Sequence, residues 1–186
     1  MSRFDISRTS LSGLQIVERR PISDERGFLE RLFCDEGLRS TGWPGQVAQV
    51  NRTLTRFAGT VRGMHFQYPP YAEWKLVMCI RGRIWDVAAD VRRDSATYLS
   101  WYATELSESN RRGLMIPPGF AHGFQSLEGN CELIYFHSMP FSPAHEGALN
   151  ALDPRLAISW PLDVKSRSLR DQQHPFISTG FKGVCV

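Results

Sequence analysis

The chain has 186 residues, long enough to bury a core without disulfide or metal staples. Its 42% hydrophobic and 22% charged residues exclude global disorder, and no apolar run approaches the roughly 18 residues of a membrane span. A net charge of +3 is too small and too dispersed for a nucleic-acid binder. The opening M-S-R-F-D-I-S-R-T-S lacks the apolar centre of a secretory signal, so a cytoplasmic location is expected. Cys34, Cys79, Cys131 and Cys185 form no C-x-x-C pair and read as reduced thiols. Of the basic residues only Lys75, Lys165 and Lys182 are lysines; an arginine-rich set suits bidentate grip on phosphate or carboxylate.

In chain order, short strand signals follow one another closely. They lie at 14–18, 27–33, 47–51 and 60–67, and after Pro69-Pro70 at 75–81. Arg81-Gly82-Arg83 marks a tight turn into 84–91, where Trp85, Val87, Ala89 and Val91 share one face and Asp86 and Asp90 the other. Further strands are predicted at 99–106, 114–116, 123–127 and 131–138. One short helix is expected at 35–40, capped near Asp35, and another near 144–150. The polar, irregular tail after Trp160 is expected to wrap the surface or to pack on a partner subunit. About ten short strands with Gly- and Pro-marked turns predict an all-β jelly roll with a few short helices, one domain over residues 1–186.

Two of the five histidines stand in distinctive contexts: His65 in V-R-G-M-H-F-Q and His122 in I-P-P-G-F-A-H-G-F. Both sit near glycines, which would let a ligand approach the backbone. Alternation puts His65 and Gln67 on one face of their strand and Arg62 on the opposite one. A metal-binding jelly roll of the cupin type would use H-x-H, a Glu and a later His. Here H-F-Q replaces H-x-H, with Glu73 and His122 for the other places, and the neutral amide of Gln67 is a poor ligand for a transition metal. Without a metal, an interior histidine is suited to be a general base near neutral pH. Its orienting carboxylate is one of Asp86, Asp90, Glu132, Asp153 or Asp171, and Tyr135 is a candidate acid; spacing does not choose among the carboxylates.

The co-linear motifs are more specific. R-G-F, N-R-T, G-T-V-R-G-M-H-F-Q, K-L-V-M-C-I-R-G-R-I-W-D-V-A-A-D-V-R, L-S-E-S-N, I-P-P-G-F-A-H-G-F and L-D-P-R-L-A-I-S-W-P occur in the order found in nucleotide-sugar 3,5-epimerases. The chain resembles that family from about Pro21 to Pro161. The resemblance implies a cupin-like jelly roll, a homodimer, no metal and no cofactor. The implied substrate is a nucleotide-linked 4-keto-6-deoxy sugar, inverted at carbon 3, carbon 5 or both through an enolate. His65 matches the family's base, Asp171 in S-L-R-D its helper, Tyr135 its acid and Lys75 the cation beside the sugar carbonyl. Arg26, Gln49, Asn51, Thr53, Arg62, Gln67, His122 and Phe141 match substrate-binding positions.

There are departures. Arg31 stands where the dTDP enzymes carry a glutamate, with Glu30 one step earlier and so on the other face of an alternating strand. That leaves CDP- or GDP-linked sugars open as substrates. The alternatives to an epimerase are a metal-dependent cupin enzyme and a non-catalytic nucleotide-sugar binding module.

Overall fold

A computed structural model describes residues 3–186. The strands are β1 (Phe4–Arg8), β2 (Gln15–Arg19), β3 (Ile22–Asp24), β4 (Gly27–Leu29), β5 (Gln49–Thr55), β6 (Val61–Gln67), β7 (Lys75–Arg81), β8 (Arg83–Asp90), β9 (Trp101–Ser107), β10 (Arg112–Ile116), β11 (Phe120–Ser126), β12 (Cys131–His137) and β13 (Glu146–Ala148). Two four-residue helices, α1 (Asp35–Leu38) and α2 (Leu169–Gln172), complete the set.

A six-stranded sheet runs β1-β2-β10-β7-β12-β5 and faces a five-stranded sheet, β13-β6-β11-β8-β9; β3 and β4 form a separate hairpin. Every named pairing is antiparallel. This is the expected cupin-like jelly roll. Alternation sorts the side chains. Val77, Cys79, Leu114 and Leu133 of the first sheet meet Ile84, Ala88, Leu106 and Phe124 of the second in one core. Each such fully buried side chain stabilises the fold by about 1.5–3 kcal/mol.

The second sheet is buried on its outer face as well. There Val61, Met64, Phe66, Val87, Ala89 and Val91 lie under Leu149, Ala151, Leu156, Ile177 and Val184. The tail therefore packs on its own chain. Near 144–150 the expected helix is instead a 3-10 turn, Pro143–His145, followed by β13. Pairing with the edge of β6 satisfies that backbone better than an isolated helical turn would. The N-cap position of α1 is Cys34, next to Asp35 as expected but without a side-chain cap bond, and the helix tightens into a 3-10 turn at Arg39–Thr41. Among the described residues no helix is long and apolar enough to cross a membrane.

One irregularity positions the site. Against β11, His65 pairs with His122 but Arg62 pairs with Phe124, so β6 carries one extra residue between them. The bulge reverses the alternation. Val61 points outward before it, Met64 and Phe66 after it, while Arg62 and His65 both face the space between the sheets. The expectation that Arg62 lies opposite His65 is thereby corrected. Gly63 sits in the bulge at φ +125°, and a Cβ there would lie 2.5 Å from Cα of Gly123. These glycines admit each other's strand, not a ligand.

Candidate active site

Between the sheets a cavity of about 550 Å³ opens to one side. The five-stranded sheet contributes Arg62 and His65 from β6 and His122 from β11. The six-stranded sheet contributes Asn51 and Thr53 from β5, Lys75 from β7, and Tyr135 and His137 from β12. The tail closes the remaining side with residues that include Arg167, Ser168, Arg170 and Asp171. His65 and Tyr135 thus stand on opposite walls of one cavity.

Of the five carboxylates the sequence left open, only Asp171 joins His65, its Oδ1 lying 2.9 Å from Nε2. Asp90 is bound by Arg92, Glu132 by Arg52, and Asp153 by the backbone N–H groups of Arg155 and Ile177. The sequence S-L-R-D explains Asp171 locally. Ser168 caps α2 by accepting the Asp171 N–H at 3.0 Å, and that first turn aims the carboxylate back at β6. Burial pushes the Asp171 carboxyl up, but hydrogen bonds from His65, the Gly63 N–H and Ser168 outweigh it and hold it below the usual carboxylate range. An ionised Asp171 accepts the His65 Nε2–H, which leaves Nδ1 as the nitrogen with a free lone pair. The His65 side chain is 34% exposed, so it is open to a ligand.

On the other wall, burial and then the Asp86 charge push the Tyr135 phenol well above its ordinary pKa. It stays a proton donor at neutral pH. Its ring meets His122 edge-on at 6.1 Å and stacks on His137 at 6.1 Å. His122 is fixed by Asp86, Nε2 to Oδ1 2.8 Å, and burial pushes the Asp86 carboxyl up.

Lys75 Nζ lies 3.1 Å from Glu73 Oε1, and Nδ1 of His137 lies 2.8 Å from Glu73 Oε2. Burial raises the Glu73 carboxyl, yet Lys75 and His137 together hold it below its usual value, so an anion balances the lysine. The polar chain continues: Gln49 donates to Asn51 at 3.1 Å, Asn51 to His137 Nε2 at 3.4 Å, and the Phe141 N–H to Gln49 at 3.0 Å. Gln49, Gln67 and Phe141 line a smaller recess of about 270 Å³ that shares Asn51, His65, Lys75 and His137 with the main cavity.

Of the expected binding residues, Arg26 stands away from both spaces, and Gln67 lines the recess with its amide already engaged. Arg26 is exposed in the β3–β4 turn, bonded to Asp24, and lines neither of these spaces. Its hairpin touches the body through Phe28, whose ring lies 5.5 Å from the Arg111 guanidinium. The Gln67 amide is consumed by the loops it ties together, donating to Tyr71 and Pro140 carbonyls and accepting the Ser142 N–H at 2.7 Å. The cupin-type metal set is not assembled either: Glu73 is engaged by Lys75 and His137 and His122 by Asp86. Glu30 is not presented on a strand face, since β4 ends at Leu29; it pairs with buried Arg19 at 3.1 Å.

Sequence reasoning missed His137, His174 and the tail residues Arg167, Ser168 and Arg170. Tyr135-x-His137 alternation and the S-x-x-D cap with D-x-x-H after it were the available signals.

The family model described as dTDP-4-dehydrorhamnose 3,5-epimerase matches residues 8–179. A dTDP-4-dehydrorhamnose 3,5-epimerase of Sinorhizobium fredii is 39% identical over 152 residues, 82% of this chain and 78% of the relative. A dTDP-4-dehydrorhamnose 3-epimerase of Streptomyces niveus is 38% identical over 163 residues, 87% of this chain and 78% of the relative. The crystal structure of a dTDP-4-dehydrorhamnose 3,5-epimerase from Bacillus anthracis with TDP and pyrophosphate bound superposes with a TM-score of 0.89. It is 33% identical, and the match covers 94% of this chain and 99% of that one. Fold, cavity and sequence agree that this chain belongs to the dTDP-4-dehydrorhamnose 3,5-epimerase family of isomerases.

Proposed function

We propose that this chain inverts carbon 3, carbon 5 or both of a dTDP-linked 4-keto-6-deoxy sugar by removing and returning a proton. The observation that carries the reading is the pair of opposed groups in one cavity, an Asp171-bound imidazole and a buried phenol. The 4-keto group acidifies the neighbouring C–H bonds, because loss of either proton gives an enolate. His65 Nδ1 takes the proton and the electron pair moves onto the carbonyl oxygen. Lys75 stabilises that oxyanion. Tyr135 then donates a proton to the opposite face of the carbon, which inverts it. Imidazolium and phenolate return to their starting states by exchange with water.

Asn51, Thr53, His122 and His137 shape the sugar site. Arg62, Arg167 and Arg170 place guanidinium groups at its rim, a chemistry matched to a diphosphate. The recess beside Phe141 offers a ring to the ligand.

The working unit is a homodimer in the cytoplasm. All eight residues of the β3–β4 hairpin are exposed, with Phe28 at 65% and Leu29 at 70%, and a lone two-stranded hairpin is marginal in water. A second copy covering it removes both problems. All four cysteines are free thiols, as suits a reducing compartment.

Proton NMR in deuterium oxide tests the reading. Incubation with dTDP-4-keto-6-deoxyglucose, beside the CDP- and GDP-linked analogues, is expected to place deuterium at carbon 3, carbon 5 or both of the dTDP sugar. No exchange on any of the three would refute it.

A further inference from the structure

His174 takes no part in the proposed proton transfer, yet it stands against both His65 and the Asp171 that orients it. Its Nε2 lies 3.3 Å from His65 Nε2 and 3.3 Å from Asp171 Oδ1, while those two atoms are 2.9 Å apart. Among the described residues this is the one group of three His, Cys, Asp or Glu side chains that converge in this way. Three like-sized edges are what a small ion requires. Tetrahedral zinc with bonds of 2.0–2.2 Å separates its ligand atoms by roughly 3.3 Å. Two edges already have that length and the third needs only a small opening. The rings of His65 and His174 are nearly perpendicular, at 88°, so both can present Nε2 to one point without their planes colliding.

The frame is held in place. Ser168 fixes Asp171, and buried Asn150 pins the loop after α2 by bonding the His174 and Pro175 backbone carbonyls. His65 and Asp171 line the cavity, which leaves an open side for a water ligand and a path for the ion.

We propose that His65, Asp171 and His174 form a site for a divalent transition metal, zinc foremost, whose occupation switches off the enzyme. Two imidazoles and a carboxylate suit zinc, with cobalt as its spectroscopic stand-in. As the metal–Nε2 bond forms, the ring hydrogen passes by way of solvent from Nε2 to Nδ1, and Asp171 turns from the imidazole to the ion. With the ion on Nε2 and the hydrogen on Nδ1, His65 keeps no free lone pair with which to take the substrate's proton. This second half rests on the reading of His65 as the base; the binding half does not.

The test uses the whole 186-residue chain, stripped with EDTA, in a Cys185→Ser background so that the exposed thiol does not contribute. Calorimetric titration with zinc chloride is expected to give one equivalent per chain, and cobalt chloride a visible band of tetrahedral intensity. His174→Gln and His174→Ala should each weaken zinc binding by more than about tenfold, the loss that even an outer partner of a metal can cause. His145→Ala should not. Circular dichroism confirms that each variant is folded. Deuterium exchange into the dTDP-keto sugar should be full in stripped protein, lost with zinc, and restored by EDTA. Absent binding, or binding equally tight in both folded His174 variants, overturns the site. Binding through His174 with undiminished exchange overturns the switch. Binding through His174 in a protein that never exchanges leaves the site standing and refutes the epimerase reading instead.

Discussion

Asp171 Oδ1 lies 2.9 Å from His65 Nε2, although 106 residues separate the two in the chain. The carboxylate does more than add charge. It selects the tautomer in which Nε2 holds the hydrogen and Nδ1 is free. Asp171→Asn can offer its amide N–H instead, which places the ring hydrogen on Nδ1 and blocks the base. The substitution is expected to lower kcat by about a hundredfold or more with little change in KM. Steady-state kinetics on the dTDP-keto sugar decide this; a fall confined to KM would assign Asp171 to binding.

Tyr135 and His65 separate the two halves of the reaction, so removing one need not remove the other. Tyr135→Phe leaves the base intact and takes away the returning proton. Inversion is expected to slow by about a hundredfold, with initial loss of the substrate's proton slowed much less. His65→Ala should abolish both. Following deuterium wash-in and product stereochemistry in one NMR series measures the split, and equal slowing of the two by Tyr135→Phe would count against the assigned acid.

The sequence was most readable where alternation is unbroken. In β8 the faces came out as expected, with Trp85, Val87 and Ala89 packed under the tail and Asp86 turned inward to His122. It failed at β6, because one extra residue reverses the faces, and the signal for it, Gly63 inside the strand, was read only as room for a ligand. The tail was unreadable for another reason. Leu149, Leu156, Ile177 and Val184 cover a sheet from irregular loops, so they have no period. Motif resemblance named His65, Tyr135, Lys75 and Asp171, which the fold gathers around one cavity, but it was silent on His174, whose proposed role rests on its distances to His65 and Asp171.

The bulge itself is open to test. At Gly63, φ +125° disfavours any L side chain, and a Cβ would also lie 2.8 Å from the His122 carbonyl. Strain and overpacking each cost about 1–3 kcal/mol. Gly63→Ala is therefore expected to lose about 3 kcal/mol or more in urea unfolding and to lose activity, since the bulge places both Arg62 and His65. An unchanged midpoint would show that β6 and β11 can part without penalty.

Asp90 sets an acid limit on the fold. Burial raises its carboxyl, but Arg92 and the hydroxyls of Ser95 and Thr97 outweigh burial and lower it below the usual range. A carboxylate depressed in the folded state stabilises that state above its unfolded pKa of about 4, and the stabilisation fades as pH falls through the folded value. Asp90→Asn is expected to cost about 2 kcal/mol at pH 7, a value discounted for the partial exposure of Arg92. The gap between variant and parent should narrow steadily below about pH 4. Thermal melts from pH 7 to pH 3 measure it; a gap constant across that range would mean that the carboxyl is not the source.

Arg26 poses the sharpest question about assembly. It is expected to hold the nucleotide diphosphate or the sugar, but in its own chain it sits exposed beside Asp24 and borders neither cavity nor recess. If it serves a site, that site belongs to the other copy. Each alone, Arg26→Ala and His65→Ala should be severely impaired. In a mixed dimer the geometry separates two outcomes. With exchanged hairpins, the chain that keeps His65 receives an intact Arg26 from its partner, so one of the two sites is whole. Half of the dimers in an equal mixture are mixed, and co-expression should then recover about a quarter of wild-type turnover. With hairpins serving their own chains, both sites of the mixed dimer carry a defect and nothing is recovered. Sizing of the co-expressed protein, with Phe28→Asp as the variant expected to split the dimer, ties the recovery to the hairpin contact.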